Sequence, residues 1–373
     1  MRRPAVVMLS GIRWDFLWQR HQILATHFAR AGYPTVFVET TGLSNPRLNR
    51  ATLRKVAIRV SRSGGKRPAG ESGLSVYAPL VAPPTHGIFR RMNKRIFVPR
   101  VARDLEKIAG SNPVVVAYPP SRTTLDLISG LEPRLLFYDC SEDYAGFLGV
   151  PRDIAATERE LLRRADIVSY TSPPLLEKAK SLRPDAFLNG PGVDYDRFAV
   201  LQEDHSDRIR TVCFFGHLGE ERVDFDALRK IADAGFRVRL VGGLGRAPRG
   251  FLETPGMDFR GEVPHEKLPA ALAGVDAFVL PYRTNALTWS ISPAKIYECL
   301  ATGKPVVATP LPALATLDPH VYPARDAGEF VGVLRSLDRL ETEEKAWARA
   351  ALARENSWDA RFQEIEESIW RRL

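Results

Sequence analysis

The segment over residues 276–310 constrains the fold more than any other part of the chain. It begins with an apolar run, Ala277–Leu280, which predicts a buried parallel strand. A polar loop leads to Ser292 and Pro293, which are typical of the N-cap and first turn of a helix. Gly303 predicts the end of that helix, and a second short apolar run predicts another strand. A strand, a helix and a strand in this order predict a parallel sheet.

Two side chains at the start of this predicted helix indicate what the segment binds. Lys295 lies in the first predicted turn, at the carboxyl end of the preceding strand, where open α/β sheets bind ligands and helix N-termini attract phosphate. Glu298 follows three residues later on the same helix face. A carboxylate has two oxygens and accepts both hydroxyls of a ribose diol. Together they predict a nucleotide site; the alternative is a surface lysine beside a capping glutamate.

Apolar runs that alternate with helical patterns predict a doubly wound α/β domain in each half of the chain. The predicted strands are 5–9, 35–38, 114–117, 135–138 and 167–170 in the first half, and 212–215, 237–241, 257–260, 277–280 and 306–308 in the second. A glycine- and proline-rich break at 189–192 predicts the domain boundary. We expect residues 61–73 to form a flexible loop by composition, and Pro99 to kink or break a helix over 90–108.

Length and composition are those of an ordinary globular protein of about two domains. The chain has 373 residues, 45% of them hydrophobic and 26% charged, which excludes a disordered or fibrous protein. Three scattered cysteines without CxxC spacing support neither a disulfide framework nor a zinc site, and they fit a reducing cytoplasm. The N-terminal apolar stretch is short and predicts a strand rather than a signal peptide, and we expect no membrane-spanning segment.

The positive charge is concentrated in one region. Between residues 41 and 107 there are 15 Lys and Arg against 3 Asp and Glu, an excess of +12, whereas the whole chain carries +9. Apolar residues lie between the cations. We therefore expect the basic spans 47–67 and 90–107 to contact an anionic membrane surface or a lipid-diphosphate substrate; the alternative is a solvated basic face. No nucleic-acid recognition module is present, so we expect no nucleic-acid partner.

Several motifs, in this order and spacing, resemble those of a known enzyme family. In the first half they are WQRHQILATHFARAGYPTVFVE, FYDCSEDYAGF and ADIVSYTSPPLLEKA, and the last is followed by NGPGVDYDRF. In the second half they are FFGHLGE, GEVPHEKLPAALAGVDAFVLPY and the 276–310 segment. Across nearly its whole length the chain resembles GT-B glycosyltransferases, especially glycosyltransferase family 4 and bacterial exopolysaccharide-assembly relatives.

The resemblance implies two facing Rossmann-like domains. Residues 1–190, with a C-terminal helix of about 357–373 crossing back, would bind the acceptor, and 191–356 would bind the nucleotide-sugar donor. The donor set implied by the resemblance comprises Gly11, Gly216, His217, Arg222, Gly243, Glu262, Tyr282, Asn285, Ser292, Pro293, Lys295 and Glu298. Within it Glu298 holds the ribose, Lys295 and the helix start face the diphosphate, and Glu262 lies near the base. The loop with Gly11, Arg13, Trp14 and Asp15 belongs to the acceptor-binding domain and would face the sugar and diphosphate across the cleft.

Two positions depart from the family pattern. His217 stands where relatives often have an arginine for the phosphates, so Lys295 and Arg222 are the candidates to replace it. Retaining members often carry a second glutamate eight residues before the ribose-binding one. Ser290 occupies that position here, so stereochemistry stays open.

An inverting transferase needs a base that takes the proton of the acceptor hydroxyl. Asp139, Glu142 and Asp143 follow a predicted strand, and the segment resembles the catalytic strand end of some inverting, membrane-associated exopolysaccharide transferases. We favour Asp143, then Glu142. The alternative is a loop that binds sugar hydroxyls without proton transfer.

Metal and cofactor sites are not expected. Relatives usually neutralise the leaving diphosphate with helix dipoles and basic side chains. Asp194-Tyr195-Asp196 is formally a DxD sequence, but it lies at the predicted linker. The histidines, His265 among them, lack ligand spacing, and we expect most to be structural or on the surface.

The sequence therefore predicts a cytoplasmic glycosyltransferase, peripheral on the inner face of the cell membrane. It would move a sugar from a nucleotide diphosphate to a glycan or lipid-linked acceptor in cell-surface polysaccharide or glycoconjugate synthesis. The alternatives are a nucleotide-sugar 2-epimerase of the same fold and a non-catalytic protein that binds polyanions or membranes.

Overall fold

A computed structural model describes residues 3–15, 18–39, 66–82, 87–147, 149–203 and 208–373. The chain folds into two compact units. Unit 1 contains the described residues of Met1–Thr171, Leu175–Asn189 and Phe362–Leu373. Unit 2 contains Ser172–Pro174 and the described residues of Gly190–Arg361.

Unit 1 is built on a sheet with the strand order β3-β4-β2-β1-β5-β6-β7-β8 in the described residues. Neighbouring strands are parallel, except that β3 pairs with β4 antiparallel. The strands are β1 (Val6–Leu9), β2 (Thr35–Val38), β3 (Lys66–Pro68), β4 (Leu74–Tyr77), β5 (Val114–Ala117), β6 (Leu135–Cys140), β7 (Ile167–Tyr170) and β8 (Phe187–Leu188).

Both faces of the central strands β1, β2, β5 and β7 are buried, which explains why these strands are mostly apolar. Along β1, Val7 and Leu9 pack into one core cluster and Val6 and Met8 into the other. This alternation follows from the two-residue period of a strand. The predicted loop over 61–73 is wrong in part, because β3 lies within it as an edge strand; its first five residues lie outside the described residues.

The helices of unit 1 cover both faces of the sheet. They are α1 (Arg20–Arg30), α2 (Gly87–Met92), α3 (Val98–Ala109), α4 (Arg122–Leu131), α5 (Ile154–Arg164) and α6 (Pro173–Ala179), the last of which begins in unit 2. Asn93–Phe97 form a π-helical segment between α2 and α3. The predicted disturbance at Pro99 is confirmed: Pro99 lies in the first turn of α3, where its missing N–H cannot continue the preceding helix.

Unit 2 has a parallel sheet with the strand order β11-β10-β9-β12-β13-β14. The strands are β9 (Thr211–Phe215), β10 (Arg237–Val241), β11 (Met257–Gly261), β12 (Ala277–Leu280), β13 (Val306–Ala308) and β14 (Tyr322–Pro323). The helices are α7 (Tyr195–Ala199), α8 (Phe225–Asp233), α9 (Leu268–Leu272), α10 (Ala286–Trp289), α11 (Ile296–Ala301), α12 (Pro312–Ala315), α13 (Ala327–Leu340) and α14 (Glu343–Glu355). A final helix, α15 (Trp358–Trp370), begins in unit 2 and contributes its later turns to unit 1.

The helix of the 276–310 segment is shorter than predicted. It begins at Ile296, with Lys295 in the N-cap position and no side-chain cap, so the prediction of Ser292 as N-cap and Pro293 in the first turn is wrong. Two turn-like residues separate Pro293 from the helix, because the Ile296 N–H donates to the Pro293 carbonyl three residues back, at 3.0 Å. The predicted end is confirmed, since Gly303 has φ +70° just after α11.

Two further observations concern the predictions on membrane-spanning segments and on cysteines. In the part of the chain that the structure describes, every helix is too short or too polar to span a bilayer. Cys140, Cys213 and Cys299 are buried and unpaired.

Candidate functional site

The loops at the carboxyl ends of β9 and β10 approach each other very closely in unit 2. Gly216 follows β9 with φ +111°, and Gly242 follows β10 with φ +137°. The Gly216 N–H donates to Val241 O, and the Gly242 N–H to Gly261 O, each at 2.7 Å. A Cβ atom on Gly242 would overlap the Gly216 carbonyl oxygen. Only glycine satisfies both the conformation and the close approach at these two positions.

Lys295 lies directly against this pair of loops. Its Nζ atom is 4.0 Å from the ring centre of Phe214, 5.6 Å from that of Phe215 and 5.9 Å from that of Tyr282. A Cβ atom on Gly216 would overlap Nζ. The ammonium is therefore held by ring faces through cation–π attraction and has its place only because residue 216 is a glycine.

The Lys295 ammonium has no hydrogen-bond acceptor among the described residues. Burial lowers its pKa to about 8, while the nearby Cys299 and Glu298 act in the opposite direction. An ammonium carries three donors, so leaving them unused in a half-buried place is costly. An anion bound beside Lys295 would accept hydrogen bonds from these donors.

Arg222 provides a second cation near the same place. Its charge also lowers the pKa of Lys295, which places the two charges within interaction range. The side chain is half-buried, and in the described ranges no carboxylate forms an ion pair with it. Two cations whose charges interact and which lack a paired carboxylate favour a ligand with more than one negative charge.

Glu298 lies in the first turn of α11, three residues beyond Lys295. Its Oε1 atom is 3.1 Å from Nε2 of His265, and Nδ1 of His265 is 2.6 Å from Nη1 of Arg197. Sequence reasoning did not single out His265 or Arg197. The only signal was their position, since His265 lies in the GEVPHEKL motif and Arg197 in the NGPGVDYDRF motif.

The other predicted donor residues surround this centre in different ways. The Glu262 carboxylate lies over Gly243, where a Cβ atom would overlap Oε1. His217 is exposed, and its ring lies against Gly245 of the β10 loop. Tyr282 is buried, and its ring is one of the three that lie within 6 Å of the Lys295 ammonium.

Asn285 has a local structural role. Its Oδ1 atom caps α10 by accepting from Leu287 N and Thr288 N at 3.0 Å each, and its Nδ2 atom donates to Glu221 O at 2.9 Å. Ser292 and Pro293 lie in the segment before α11 rather than in its first turn.

In unit 1, Asp139 is fully buried at the end of β6 and paired with Arg20. The Arg20 Nε and Nη2 atoms donate to its two oxygens at 2.8 and 3.0 Å, and Ser169 Oγ donates to Oδ1 at 2.7 Å. Arg20 also donates to Asn189 Oδ1 at 2.6 Å. These partners occupy both oxygens of the buried Asp139 carboxylate.

Asp143 and Glu142 lie on the loop that follows β6. The Asp143 carboxylate accepts from Nζ of Lys178 at 3.0 and 3.2 Å in a partly exposed ion pair. The Glu142 side chain is half-buried. Of the three predicted carboxylates, these two remain accessible.

Glu158 is a nearby carboxylate that sequence reasoning missed. It lies on α5, accepts from the Tyr138 hydroxyl at 2.8 Å, and is 3.8 Å from Cys140 Sγ. Burial raises its pKa above the usual value. The sequence pattern of α5 predicts an amphipathic helix, but it does not show which of the glutamates on that helix contacts the end of β6.

The loop after β1 is held by several polar contacts. Ser10 Oγ accepts from Ile12 N at 3.1 Å and is 2.7 Å from His21 Nδ1, and burial lowers the pKa of His21 to about 3. Trp14 packs on Phe37, with 5.0 Å between ring centres. Two further predicted residues pair with each other, Arg13 with Asp15 at 2.9 and 2.6 Å. Gly11 lies in this loop, beside Pro119.

Comparison with known proteins places both the sequence and the fold. Residues 209–337, inside unit 2, match the family described as Glycosyl transferases group 1. TuaH of Bacillus subtilis (strain 168), a glycosyltransferase assigned to teichuronic acid biosynthesis, is 23% identical over 263 residues. That match covers 62% of this chain and 65% of TuaH, just under two thirds of the relative.

Solved structures match along nearly the whole chain. A UDP-forming α,α-trehalose-phosphate synthase from Burkholderia xenovorans has a TM-score of 0.64 at 10% identity, covering 98% of each chain. The fold is GT-B. The glycosyltransferase AviGT4 of avilamycin A biosynthesis has a TM-score of 0.54 at 16% identity, covering 99% of this chain and 98% of that one. A Listeria monocytogenes protein assigned as a UDP-N-acetylglucosamine 2-epimerase has a TM-score of 0.55 at 12% identity, covering 99% and 96%. The predicted resemblance and fold class of this GT-B chain are confirmed.

Proposed function

We propose that the protein is a glycosyltransferase that takes a sugar from a nucleotide diphosphate sugar. The observation that carries this proposal is the Lys295 ammonium, caged by three aromatic rings and without a hydrogen-bond acceptor among the described residues. The similarity of residues 209–337 to Glycosyl transferases group 1 supports it.

Each part of the donor has a matching group in unit 2. Lys295 and Arg222 neutralise the diphosphate, which also stabilises the nucleoside diphosphate as it leaves. Glu298 accepts hydrogen bonds from the ribose hydroxyls. Glu262 and Gly243 lie on neighbouring loops of the same sheet edge and would contact the rest of the nucleoside.

Binding of nucleoside diphosphates tests the donor site. We expect at least one of UDP, GDP, dTDP and ADP to raise the melting temperature of the wild-type protein. Lys295→Met removes the cation and is expected to abolish that shift, whereas Lys230→Met, on the exposed side of α8, keeps it. If no nucleoside diphosphate shifts the wild-type melting temperature, the proposal is wrong and a non-catalytic role gains weight.

We further propose that the acceptor is a glycan or lipid-linked glycan of the cell surface. The similarity to TuaH, whose name refers to teichuronic acid biosynthesis, supports this. Asp143 is the proposed base, followed by Glu142, because Asp139 is occupied by Arg20. With the acceptor present, Asp143→Asn is expected to lower kcat by about 100-fold or more with little change in donor affinity. Lys178→Met, which removes only its ion-pair partner, serves as the control.

Release of nucleoside diphosphate separates transfer from epimerisation. A transferase releases it in proportion to acceptor consumed, and NMR of the remaining donor shows an unchanged sugar. An epimerase instead converts the donor sugar without acceptor. Appearance of the epimer would overturn the transferase proposal.

We propose that catalysis needs no metal, because Lys295 and Arg222 supply the positive charge at the diphosphate. Among the described residues no cluster of His, Cys, Asp and Glu side chains is arranged to hold an ion. Transfer should therefore continue in EDTA at the rate measured with Mg²⁺. A loss of more than about tenfold that Mg²⁺ restores would contradict this part of the proposal.

We also propose that α2 and the π-helical segment contact an anionic membrane on its cytoplasmic face. Ile88, Met92 and Ile96 are spaced by four residues and exposed by 68%, 36% and 42%. Arg91, Lys94 and Arg95 beside them are exposed, and within the described ranges no carboxylate forms an ion pair with these three. Residues 47–65 of the other predicted basic span lie outside the described residues.

Flotation with anionic liposomes tests this surface. The triple change Ile88→Ser, Met92→Ser and Ile96→Ser should reduce the bound fraction several-fold. Trp347→Ser, a residue of unit 2 that is 72% exposed, is the matched control and should leave binding unchanged. Equal flotation of the triple variant and the wild type would exclude this surface.

A further inference from the structure

His265 lies between Glu298 and a fixed arginine, and this arrangement determines its tautomer. Arg197 Nη1 is 2.6 Å from His265 Nδ1. A guanidinium only donates hydrogen bonds, so Nδ1 must accept and carries no hydrogen. The ring hydrogen is then on Nε2, which lies 3.1 Å from Glu298 Oε1 and donates to it. The hydrogen bonds therefore run in one direction, from Arg197 through His265 to Glu298.

From this geometry we propose that His265 is a positioning residue for Glu298 and thereby sets the preference of the donor site for ribose over 2′-deoxyribose. The inference rests on the proposed function, because it assumes that Glu298 receives the ribose. His265 itself does not touch the sugar. It acts by fixing the carboxylate before the nucleotide arrives.

The supporting groups of His265 are themselves fixed. Arg197 Nη2 forms an ion pair with Asp194 Oδ2 at 2.9 Å, three residues earlier in the chain. The His265 ring also packs edge-on against the buried Phe198, with 6.0 Å between ring centres. The segment around α7 thus holds the imidazole from two sides, and neither support is part of α11.

Fixing one oxygen of Glu298 leaves the other for the ligand. In the described part of the chain, His265 is the one side chain that hydrogen-bonds the Glu298 carboxylate. A glutamate side chain has three rotatable bonds, and ordering it before binding removes an entropic cost that the ligand would otherwise bear. Oε2 and the remaining lone pair of Oε1 then accept from two adjacent hydroxyls. A 2′-deoxy nucleotide fills just one of these acceptors.

The experiment compares affinities for UDP, GDP and ADP with those for their 2′-deoxy counterparts by calorimetry, using the nucleotide that binds best. We expect the wild type to prefer ribose by about tenfold. His265→Phe keeps the aromatic contact with Phe198 but has no donor. It should weaken binding of the ribose nucleotide more than that of the 2′-deoxy nucleotide, which uses one acceptor of Glu298 rather than two, so that the preference falls to within about twofold.

Two further variants separate positioning from a general structural effect. His265→Gln keeps an N–H donor near the position of Nε2 and should restore at least part of the ribose preference. The double variant His265→Phe with Glu298→Ala should be no worse than Glu298→Ala alone, because His265 acts through that carboxylate. Melting temperatures of all variants establish that they are folded.

The outcomes distinguish the inference from the function on which it rests. If the wild type binds no nucleotide, the proposed function fails. If the wild type prefers ribose but His265→Phe keeps that preference, or loses affinity equally for both nucleotides, His265 does not position Glu298 and the inference is overturned.

Discussion

At the scale of single residues, Lys295 combines a binding role with an energetic cost. Its ammonium lies 4.0 Å from the ring centre of Phe214 and within 6 Å of the ring centres of Phe215 and Tyr282, and its charge interacts with that of Arg222. Burial lowers its pKa from 10.5 to about 8. The lysine is therefore close to losing its proton in the unliganded protein, and an anion that restores the charge couples binding to proton uptake.

This coupling predicts a pH dependence of nucleotide binding. A bound diphosphate favours the charged lysine and raises its pKa, so binding near pH 8.5 should take up a fraction of a proton, and affinity should fall as pH rises above about 8. Phosphate groups titrate near pH 6, so they contribute little there. Calorimetry in buffers of different ionisation enthalpy measures the uptake. Lys295→Arg stays charged and should show none; equal uptake in both proteins would contradict the assignment.

The lowered pKa of Lys295 also predicts that the folded protein would be more stable without this lysine. Because the pKa is lower in the folded state than in the unfolded state, the folded state is penalised fully below pH 8, and the penalty is relieved as pH rises towards 10.5. Lys295→Met should raise the free energy of unfolding by about 1–3 kcal/mol at pH 7. This is a net value, from which the loss of the cation–π contacts has been subtracted.

Urea unfolding at pH 7 and pH 10 checks this prediction. The gain of Lys295→Met over the wild type should shrink at the higher pH. A variant that is less stable than the wild type at pH 7 would show that the aromatic cage outweighs burial.

At the scale of elements, the strands could be read from the sequence more reliably than the site could. The predicted strands 35–38, 114–117, 167–170, 237–241, 277–280 and 306–308 have the observed bounds. Apart from Arg237 and Arg239 of β10, the residues of these strands are buried, so most positions must be apolar, and a run of such residues is visible in the sequence. Edge strands such as β3 lack that requirement and were missed.

The residue types of the site could be predicted from the sequence, but the contacts between its side chains could not. Lys295 and Glu298 stood out because their spacing and place after a strand carry chemical meaning. The contact of Lys295 with Phe214, and the pairing of His265 with Glu298, join residues far apart in sequence. Local patterns contain no information about such contacts. The start of α11 was misplaced because a serine before a proline suits a cap by propensity, whereas the turn at Pro293 postpones the helix.

The ion pair between Arg20 of α1 and Asp139 of β6 gives a prediction at this scale. Asp139→Asn would leave the buried Arg20 without a counter-charge and should lower the free energy of unfolding by about 3 kcal/mol. Asp143→Asn, which removes a partly exposed pair from the loop after the same strand, should cost less than about 1 kcal/mol. Urea denaturation of both variants makes the comparison. Equal losses would show that burial of the Arg20 pair does not matter.

At the scale of the whole molecule, the last helix belongs to the core of the first unit. Phe362, Ile365 and Ile369 are buried among residues such as Phe28, and Glu366 accepts from the Tyr33 hydroxyl at 2.9 Å. Arg3 forms an ion pair with the same glutamate and lies 4.6 Å from the ring centre of Tyr33. Residues from both ends of the described chain therefore stabilise unit 1.

Ile365→Ala tests how much unit 1 depends on this helix. The change removes a fully buried side chain and should cost about 3 kcal/mol. Amide exchange should rise in β1 and β2, while β9 and β10 in unit 2 keep their protection. Gln363→Ala, at an exposed position of the same helix, should change neither. Faster exchange in both units would mean that they unfold together.

The place of the last helix in the core also has a consequence for synthesis on the ribosome. Residues 362–373 are translated after the whole of unit 2, so unit 1 cannot complete its core until then. At about 5–20 residues per second, unit 2 adds a delay of roughly 10 to 35 s. During that interval Phe28 lacks its contact with Phe362 and Tyr33 lacks its hydrogen bond to Glu366, so the nascent first unit exposes part of its apolar core. The second unit, whose segments are nearly contiguous, can therefore finish folding before the first.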